Sequence, residues 1–413
     1  MNLSKELTER GFINQFSSEN LEDIIDGEKR TVYHGIDPSA DSAQAGNMVI
    51  WMMLKHLANN GHKIIFLIGG ATGMIGDPKP NTERELKDKV VVEDNVVKIK
   101  KQAEDFFSDH EVEFVNNLEW LENMSLLEFL REVGKHYTIN ELVKKDAIAT
   151  RLQSDTGLSY TEFAYPLLQG YDYYQLFKDK NCTVQIGGSD QWGNIVSGVE
   201  LVRRKEQTEV FAITAPLVVD KTTGKKFGKS EGNSVWLDKE KTSPYEFYQF
   251  WLNVSDENVF DYLKLFTFIS LDEVKKIEEK TKDNPGAREA QKTLAQAVTT
   301  IVHGEEEVEK VMRINEVFFG KLSFSSLTQD EISVVKKNAP YTPSQNEAQL
   351  VDVLVESGLA SSKREAKTFI ETGAVQISGN KTIDTNLKLS EAEHGKYLFL
   401  KRGKKKMSLI EII

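Results

Sequence analysis

From Lys63 to Ile68 the chain reads Lys-Ile-Ile-Phe-Leu-Ile, an unbroken apolar run with β-branched residues. Such a run marks a parallel strand covered on both faces. Residues 30–36 (Arg-Thr-Val-Tyr-His-Gly-Ile) predict a short strand before it, and residues 46–59 a mostly buried helix between the two. Strand, helix and strand joined by short links predict a right-handed crossover unit. The pattern returns later, with a strand over 183–186, a turn over 187–190 and a helix from Gln191 to Arg204. The stretch from about 90 to 180 is helical in pattern and reads as an insertion between two halves of one sheet.

After residue 242 the character changes. Ser243-Pro244 opens a helix, with proline where its missing N–H costs nothing. Helical periods continue to about 318. Residues 321–348 are polar, contain Pro340 and Pro343, and read as a linker. Residues 349–413 form a small α+β unit, with helices over Leu350–Ser357 and from about Arg364 to Thr372 and short strands near 375–377 and 397–400. The expected fold is thus an α/β, Rossmann-like parallel-sheet catalytic domain over 1–242, an all-α domain over 243–320, a linker, and a small α+β domain over 349–413. No internal repeat or low-complexity tract interrupts this order.

Composition sharpens the picture. The 413 residues are 39% hydrophobic and 28% charged, with a net charge of −12. That average argues against a simple basic nucleic-acid binder. Yet from Val351 to Ile413 there are 11 Lys/Arg against 8 Asp/Glu, and residues 401–406 alone hold five cations. A basic end on an acidic body suggests contact with an anionic polymer there. The single cysteine, Cys182, excludes an intrachain disulfide. With no apolar leader and no bilayer-length run, the expectation is a cytoplasmic protein.

Four segments carry candidate chemistry. Tyr33 to Asn47 joins a strand to a helix, which puts polar groups and Gly46 at the carboxyl end of a parallel strand, where open α/β sheets bind ligands. An ordinary strand–helix loop has the same composition. Gly69 to Pro78 has four glycines after a core strand but no Gly-Lys-Ser/Thr ending, so it is not a Walker loop. It reads as a tight wall beside a ligand, with Asp77 as a polar contact. Gln185 to Asn194 again follows a strand; Asp190 could cap the helix or hold a ribose hydroxyl or an ammonium group. Gly224 to Gly232 alternates lysine with glycine, as in a loop that closes over a triphosphate, or as in a solvated basic turn.

The order of all four resembles the class I aminoacyl-tRNA synthetases, and the bacterial-type tyrosyl branch in particular. Lys226-Phe227-Gly228-Lys229-Ser230 matches that branch's Lys-Phe-Gly-Lys form of the mobile loop, and Tyr165 to Asp172 matches another wall of its site. The resemblance covers essentially the whole chain, and residues 349–413 look like an S4-type RNA-binding module. It implies a tyrosine site of Tyr33 and Asp172 at the phenol hydroxyl, Asp77, Tyr165 and Gln169 at the α-ammonium, and Gln185 in the wall. It implies adenylate contacts at Gly35, Asp37, Gly46, Gly188, Asp190 and Gln191. It assigns Lys226, Lys229, Ser230, Gln44, Asn47 and Ser39 to charge stabilisation on the reacting phosphates. ATP with Mg2+ is the implied cosubstrate, with no metal held by protein ligands. The implied partners are L-tyrosine, tRNA(Tyr) and a second copy of the chain, with no membrane. Arg203, Arg204 and Lys205 are candidates for the acceptor stem. Ser361, Lys363, Arg364, Arg402, Lys404 and Lys405 are candidates for contacts elsewhere on the tRNA.

The chain departs from the family pattern in places. The signature His-x-Gly-His is Gln44-Ala45-Gly46-Asn47, which keeps amide donors but offers no positive charge. Ser39 replaces a threonine. The stretch after Asp77 is shorter and poorer in lysine, with Lys79 and Arg84 as its cations. A catalytically silent paralogue, a tryptophanyl enzyme and an RNA chaperone are the rival readings. The retained Lys226, Lys229, Asp77, Asp172 and Asp190 weigh against the first, the Tyr33–Asp172 pair against the second, and the first 240 residues against the third.

Overall fold

A computed structural model of the chain describes residues 2–413 except 80–81, 154–156, 225–226, 228, 231–232, 319–321, 323 and 404–405. Residue contacts divide it into two compact units, 1–243 with 249–302, and 244–248 with 303–413. The helical stretch read as one domain over 243–320 is therefore shared between two units.

The first unit is built on a six-stranded sheet. Its strands are β1 (Gln15–Phe16), β2 (Thr31–Ile36), β3 (Lys63–Ile68), β4 (Val112–Asn116), β5 (Cys182–Gly188) and β6 (Phe211–Ala215), in the order β1-β6-β5-β2-β3-β4. All neighbours are parallel except β1 with β6. Five of the six β3 residues are buried, as its continuous apolar run requires. The crossover helix Met48–Asn59 has ten consecutive buried residues, Met48 to Leu57, because the sheet and other elements cover it all round. Trp51 packs there against Phe66 and Phe106 with ring centroids 5.4 and 5.1 Å apart.

The segment 90–180 is not wholly helical. Val112–Asn116 leaves it to form the sheet edge beside β3. Its cue is visible in retrospect: Val112 and Phe114 alternate with Glu111 and Glu113, the period of a half-buried strand. The long helix Tyr160–Lys180 packs along the helix Trp192–Glu206. Glycine permits the close approach. A Cβ on Gly198 would stand 2.8 Å from the Cβ of Tyr173, and one on Gly170 would stand 3.4 Å from the Gly198 nitrogen. At the N-terminus, buried Arg10 donates to the carbonyls of Lys264, Thr267 and Ile269, which satisfies acceptors left open where the helix Val259–Phe266 ends.

The second unit carries a five-stranded sheet in the order Asn380–Lys381, Val375–Ile377, Tyr397–Arg402, Lys406–Ile412, Tyr341–Ser344. All pairs are antiparallel except the last. The segment 321–348 is therefore not a plain linker. It contains the helix Gln329–Asn338, started by a Thr328–Glu331 capping box, and Tyr341–Ser344 completes the sheet. Pro343 fits because this strand lies at the sheet edge, where a missing N–H leaves no neighbour unpaired. Two helices, Leu350–Glu356 and Lys363–Glu371, add Leu350, Leu354, Ala366 and Ile370 to a core shared with Val375, Leu398, Leu400 and Ile410. Because Leu354 is fully buried there, Leu354→Ala should destabilise this unit by about 2–5 kcal/mol. Urea unfolding followed by tyrosine fluorescence and circular dichroism would measure it.

Candidate functional site

The strands β2 and β5 lie side by side, with Tyr33 opposite Gln185 in the register. Both side chains are almost fully buried, and the Tyr33 Oη and Gln185 Oε1 have no protein hydrogen-bond partner. The Gln169 Oε1 is likewise buried and unpartnered. Such atoms are uncommon inside proteins and point to a ligand. The Tyr33 ring meets Tyr173 edge-on at 5.2 Å, which fixes its direction. Tyr165, Gln169 and Asp172 project from one face of the helix Tyr160–Lys180, because their spacing of four and then three matches the helical turn.

Three carboxylates gather around these groups. Asp172 accepts from Trp120 Nε1 at 2.8 Å and from Asn117 Nδ2 at 3.0 Å. Asp37 accepts from Thr72 Oγ1 at 2.7 Å and from Tyr165 Oη at 2.8 Å. Asp77 accepts from Gln191 Nε2 and Asn194 Nδ2, both at 2.9 Å. Every one of these donors is neutral. Burial raises the carboxyl ionisation of Asp172 to about 7 and of Asp37 to about 6, and also raises that of Asp77, against the hydrogen bonds that favour their anions. The Arg84 guanidinium opposes the rise at Asp37 and Asp77. A cationic ligand group would do the same.

Asn117 closes the wall. Its Nδ2 reaches both Thr72 Oγ1 at 2.9 Å and Asp172, while its Oδ1 accepts from the Ala71 N–H at 2.8 Å. The neighbouring Asn116 Oδ1 accepts from the Gly70 N–H at 3.1 Å. The glycine turn after β3 is thus held by the end of β4. A Cβ on Gly69 would collide with Asp37 Oδ1 at 2.2 Å and Thr72 Oγ1 at 2.3 Å, so only glycine admits that pair. Asn116, Asn117, Trp120 and Asn194 are the residues sequence reasoning missed. The first ends the unrecognised strand β4 and the next two follow it.

Gly35 and Gly188 sit at the carboxyl ends of β2 and β5, as expected for ligand walls. Asp190 is exposed and caps neither the turn Ser189–Gln191 nor the helix after it. Gln44 and Asn47 close a turn on each other. Gln44 N donates to Asn47 Oδ1, and Asn47 N donates to the Gln44 carbonyl, both at 2.9 Å. This turn pairs with a distant segment: Ala45 N donates to the Val235 carbonyl and Leu237 N to the Ala43 carbonyl, both at 2.9 Å. Lys241 Nζ adds an ion pair to Asp41 at 2.8 Å. The turn is thus joined to the segment just after the lysine loop. Within the lysine loop, buried Phe227 lies among Phe250, Trp251, Tyr262 and Phe266 at 4.8–5.5 Å, and its carbonyl lies 3.7 Å from where a Cβ on Gly46 would stand. Lys229 and Ser230 form a two-residue strand paired with Asn233–Ser234, while Lys226 lies outside the described residues. Ser39 is exposed beside Asp37, and its carbonyl accepts from Lys87.

Residues 26–320 match the family described as tRNA synthetases class I (W and Y). The chain belongs to this family. Residues 331–410 of this class I synthetase match the family described as Tyrosine--tRNA ligase SYY-like C-terminal domain. The tyrosine–tRNA ligase of Staphylococcus carnosus (strain TM300) is 44% identical to it over 418 residues, covering 99% of each chain. That of Leuconostoc mesenteroides subsp. mesenteroides is 44% identical over 416 residues, again covering 99% of each. A C-terminally truncated mitochondrial tyrosyl-tRNA synthetase of Aspergillus nidulans has a TM-score of 0.69 at 30% identity, covering 77% of this chain and 94% of that one. The fold is thus that of a class I synthetase, a mostly parallel six-stranded sheet with a helical region and a C-terminal mixed-sheet domain.

Among the basic candidates, Arg203, Arg204, Lys205, Lys363 and Arg402 have acidic partners. Arg203 pairs with Glu200 at 2.6 Å, Arg204 with Glu141 at 2.9 Å, and Lys205 with Glu132 at 3.1 Å. The last two pairs brace the segment 132–141 against the helix Trp192–Glu206, so a phosphate would have to displace carboxylates there. In the second unit, Ser361 Oγ donates to Glu365 at 2.6 Å, Lys363 pairs with Asp352 at 2.6 Å, and Arg402 lies 4.5 Å above the Phe369 ring. Arg364 is exposed. Lys404 and Lys405 lie outside the described residues.

The buried carboxyl makes a pH prediction. Asp172 ionises near 7 in the folded chain against an ordinary 3.8, so folding becomes less favourable as pH rises through that interval, by at most about 4 kcal/mol. Asp37 adds the same sign of slope only up to about 6. Asp172→Asn should therefore flatten the fall in stability between pH 6 and 8. Urea midpoints at the two pH values measure this, and an unchanged slope would place the titration elsewhere.

Proposed function

We infer that the chain is a tyrosine–tRNA ligase (EC 6.1.1.1): it activates L-tyrosine with ATP and transfers it to the terminal ribose of tRNA(Tyr). Full-length similarity at 44% identity to ligases of that name carries the activity. The tyrosyl-tRNA synthetase of Archaeoglobus fulgidus, 17% identical with a TM-score of 0.58, is described as complexed with L-tyrosine. For the specificity of this chain, the supporting observation is the unpartnered Tyr33 Oη close enough to Asp172 to feel its charge. A phenol donates and accepts, so it can serve both groups, whereas an indole only donates. A phenylalanine ring would leave the buried Tyr33 hydroxyl unpaired and offer Asp172 no donor, which is a basis for rejection.

In this reading the α-ammonium lies among Asp77, Tyr165 and Gln169, where buried carboxyls with raised ionisation gain most from a cation. Gly35, Asp37, Gly46, Gly188, Asp190 and Gln191 surround the adenylate, and Gln185 backs the tyrosine. The tyrosine carboxylate attacks the α-phosphorus of ATP in line, one P–O bond forms, and the bond to pyrophosphate breaks. No side chain becomes covalent; the site works by placement and charge stabilisation. Magnesium arrives on the β- and γ-phosphates as part of the substrate. Lys226, Lys229 and Ser230 supply charge and donors to the leaving group. Asn47 Oδ1 is taken by the Gln44 N–H, which leaves the Asn47 Nδ2 as the group for phosphate, with the amide of Gln44 and the hydroxyl of Ser39 beside it. A ribose hydroxyl of the tRNA then attacks the tyrosyl carbonyl and AMP leaves.

The tRNA contacts fall to Arg203, Arg204, Lys205, Ser361, Lys363, Arg364, Arg402, Lys404 and Lys405, with 349–413 as an S4-like RNA-binding domain. A homodimer, as the family resemblance implies, could cover exposed apolar side chains between 126 and 160, including Leu126 at 69%, Leu127 at 78% and Tyr160 at 68% exposure. A role in protein synthesis goes with a cytoplasmic location.

ATP–pyrophosphate exchange with tyrosine, phenylalanine and tryptophan is the direct test. Exchange with tyrosine alone is expected; none with any of the three, from folded protein that binds tRNA, would favour the silent paralogue. Truncation after Phe318 should abolish tRNA charging and keep tyrosine-dependent exchange. The cut belongs there and not at 348, because Tyr341–Ser344 pairs with the final strand. Loss of both activities would instead make the second unit a support for the first.

A further inference from the structure

The side chains of Arg151 and Glu162 are 0% and 2% exposed and form a two-pronged ion pair, with Nη1 to Oε1 at 3.1 Å and Nη2 to Oε2 at 2.9 Å. Neither residue is assigned to the site above. Among the described residues, the pair's other hydrogen bonds go to main chain. Arg151 Nη1 donates to the carbonyls of Lys79 at 2.9 Å and Thr82 at 2.7 Å, and Nε and Nη2 donate to the Gly157 carbonyl at 3.0 and 2.8 Å. Glu162 Oε1 also accepts from the Arg84 N–H at 3.2 Å. Arg84 Nε in turn donates to the Asp77 carbonyl at 2.7 Å.

A buried ion pair is weak evidence for stability, since desolvation offsets most of the attraction. Its partners are more informative. Residues 76–88 contain no helix or strand among the described residues, so little else orders them. The pair grips this segment at 79, 82 and 84, directly after Asp77. Glu162 also stands three, seven and ten residues before Tyr165, Gln169 and Asp172, on the same face of one helix. It therefore refers the segment to the helix that carries the tyrosine-side residues. Asp77 has separate holders in Gln191 and Asn194, so its carboxylate does not depend on the pair.

We propose that Arg151 and Glu162 are positioning residues for tyrosine activation, which hold the Lys79–Arg84 segment so that its cations stand at the phosphate side of the carboxylate cluster. This rests on the function inferred above. A guanidinium is needed because one planar fork must meet a carboxylate and three carbonyls together, which an ammonium cannot do. Loss of the grip should slow the activation step and leave tyrosine affinity in place.

The test uses the full chain with Arg151→Ala, Arg151→Lys and Glu162→Gln, each confirmed folded by its melting transition. Expected is a fall of about 10- to 100-fold in kcat for pyrophosphate exchange, a tyrosine KM within about twofold of the parent, and faster deuterium uptake in peptides spanning 82–88 with β2 and β3 unchanged. Arg151→Lys should recover part of what Arg151→Ala loses. Parent-like uptake over 82–88 in Arg151→Ala would overturn the proposal, as would an equal loss of tyrosine affinity and turnover. Deuterium uptake needs no activity. A parent protein that fails to exchange pyrophosphate would refute the inferred function, while loop uptake would still decide whether the pair grips the segment.

Discussion

The site depends on keeping three carboxyl groups together in a partly dry place with only neutral donors touching them. Asp37, Asp77 and Asp172 each receive two side-chain hydrogen bonds, and the donors come from Thr72, Tyr165, Gln191, Asn194, Asn117 and Trp120. Direct ion pairs would have quenched the negative potential. Amides, hydroxyls and an indole hold the groups in place and leave their field available to a bound ammonium. The cost is visible in the raised ionisation of all three. A ligand cation would lower it again, so binding energy and carboxyl ionisation are linked.

This requirement accounts for the local architecture. The donors sit on five different elements or at their ends, and their convergence needs the parallel sheet to present its carboxyl ends side by side. It needs β4 at the edge, because Asn116 at its end and Asn117 just after it secure the glycine turn after β3. It needs Gly170 and Gly198, which let the helix of Asp172 lie close to the helix of Asn194. The paired segments at 43–47 and 235–237 bring the stretch after the lysine loop to the same end of the sheet.

Some of this was legible in residue order. The apolar run of β3, the buried crossover helix and the strand–turn–helix at 183–204 were readable because burial on both faces writes itself as continuous hydrophobicity. Three of the four polar segments were readable because each follows a strand, and the fourth because lysine alternates with glycine in it. The linker reading of 321–348 failed for a physical reason: an edge strand with a proline and an amphipathic helix of moderate polarity look like loop when only local composition is weighed. The strand β4 was lost in the same way, since five residues of alternating character carry little signal inside a helical stretch.

The sequence by itself determined the α/β class, the positions of the polar turns that follow the sheet strands, the class of chemistry and the basic character of the C-terminal end. Those properties depend on residue types and short spacings, which the chain states directly. Only the tertiary structure decided which neutral donors hold each carboxylate, that the Gln44–Asn47 turn pairs with the segment after the lysine loop, and that Arg151 and Glu162 grip the residues after Asp77. Contacts between residues tens to hundreds of positions apart have no local trace, because their energy comes from geometry that exists only once the elements have packed.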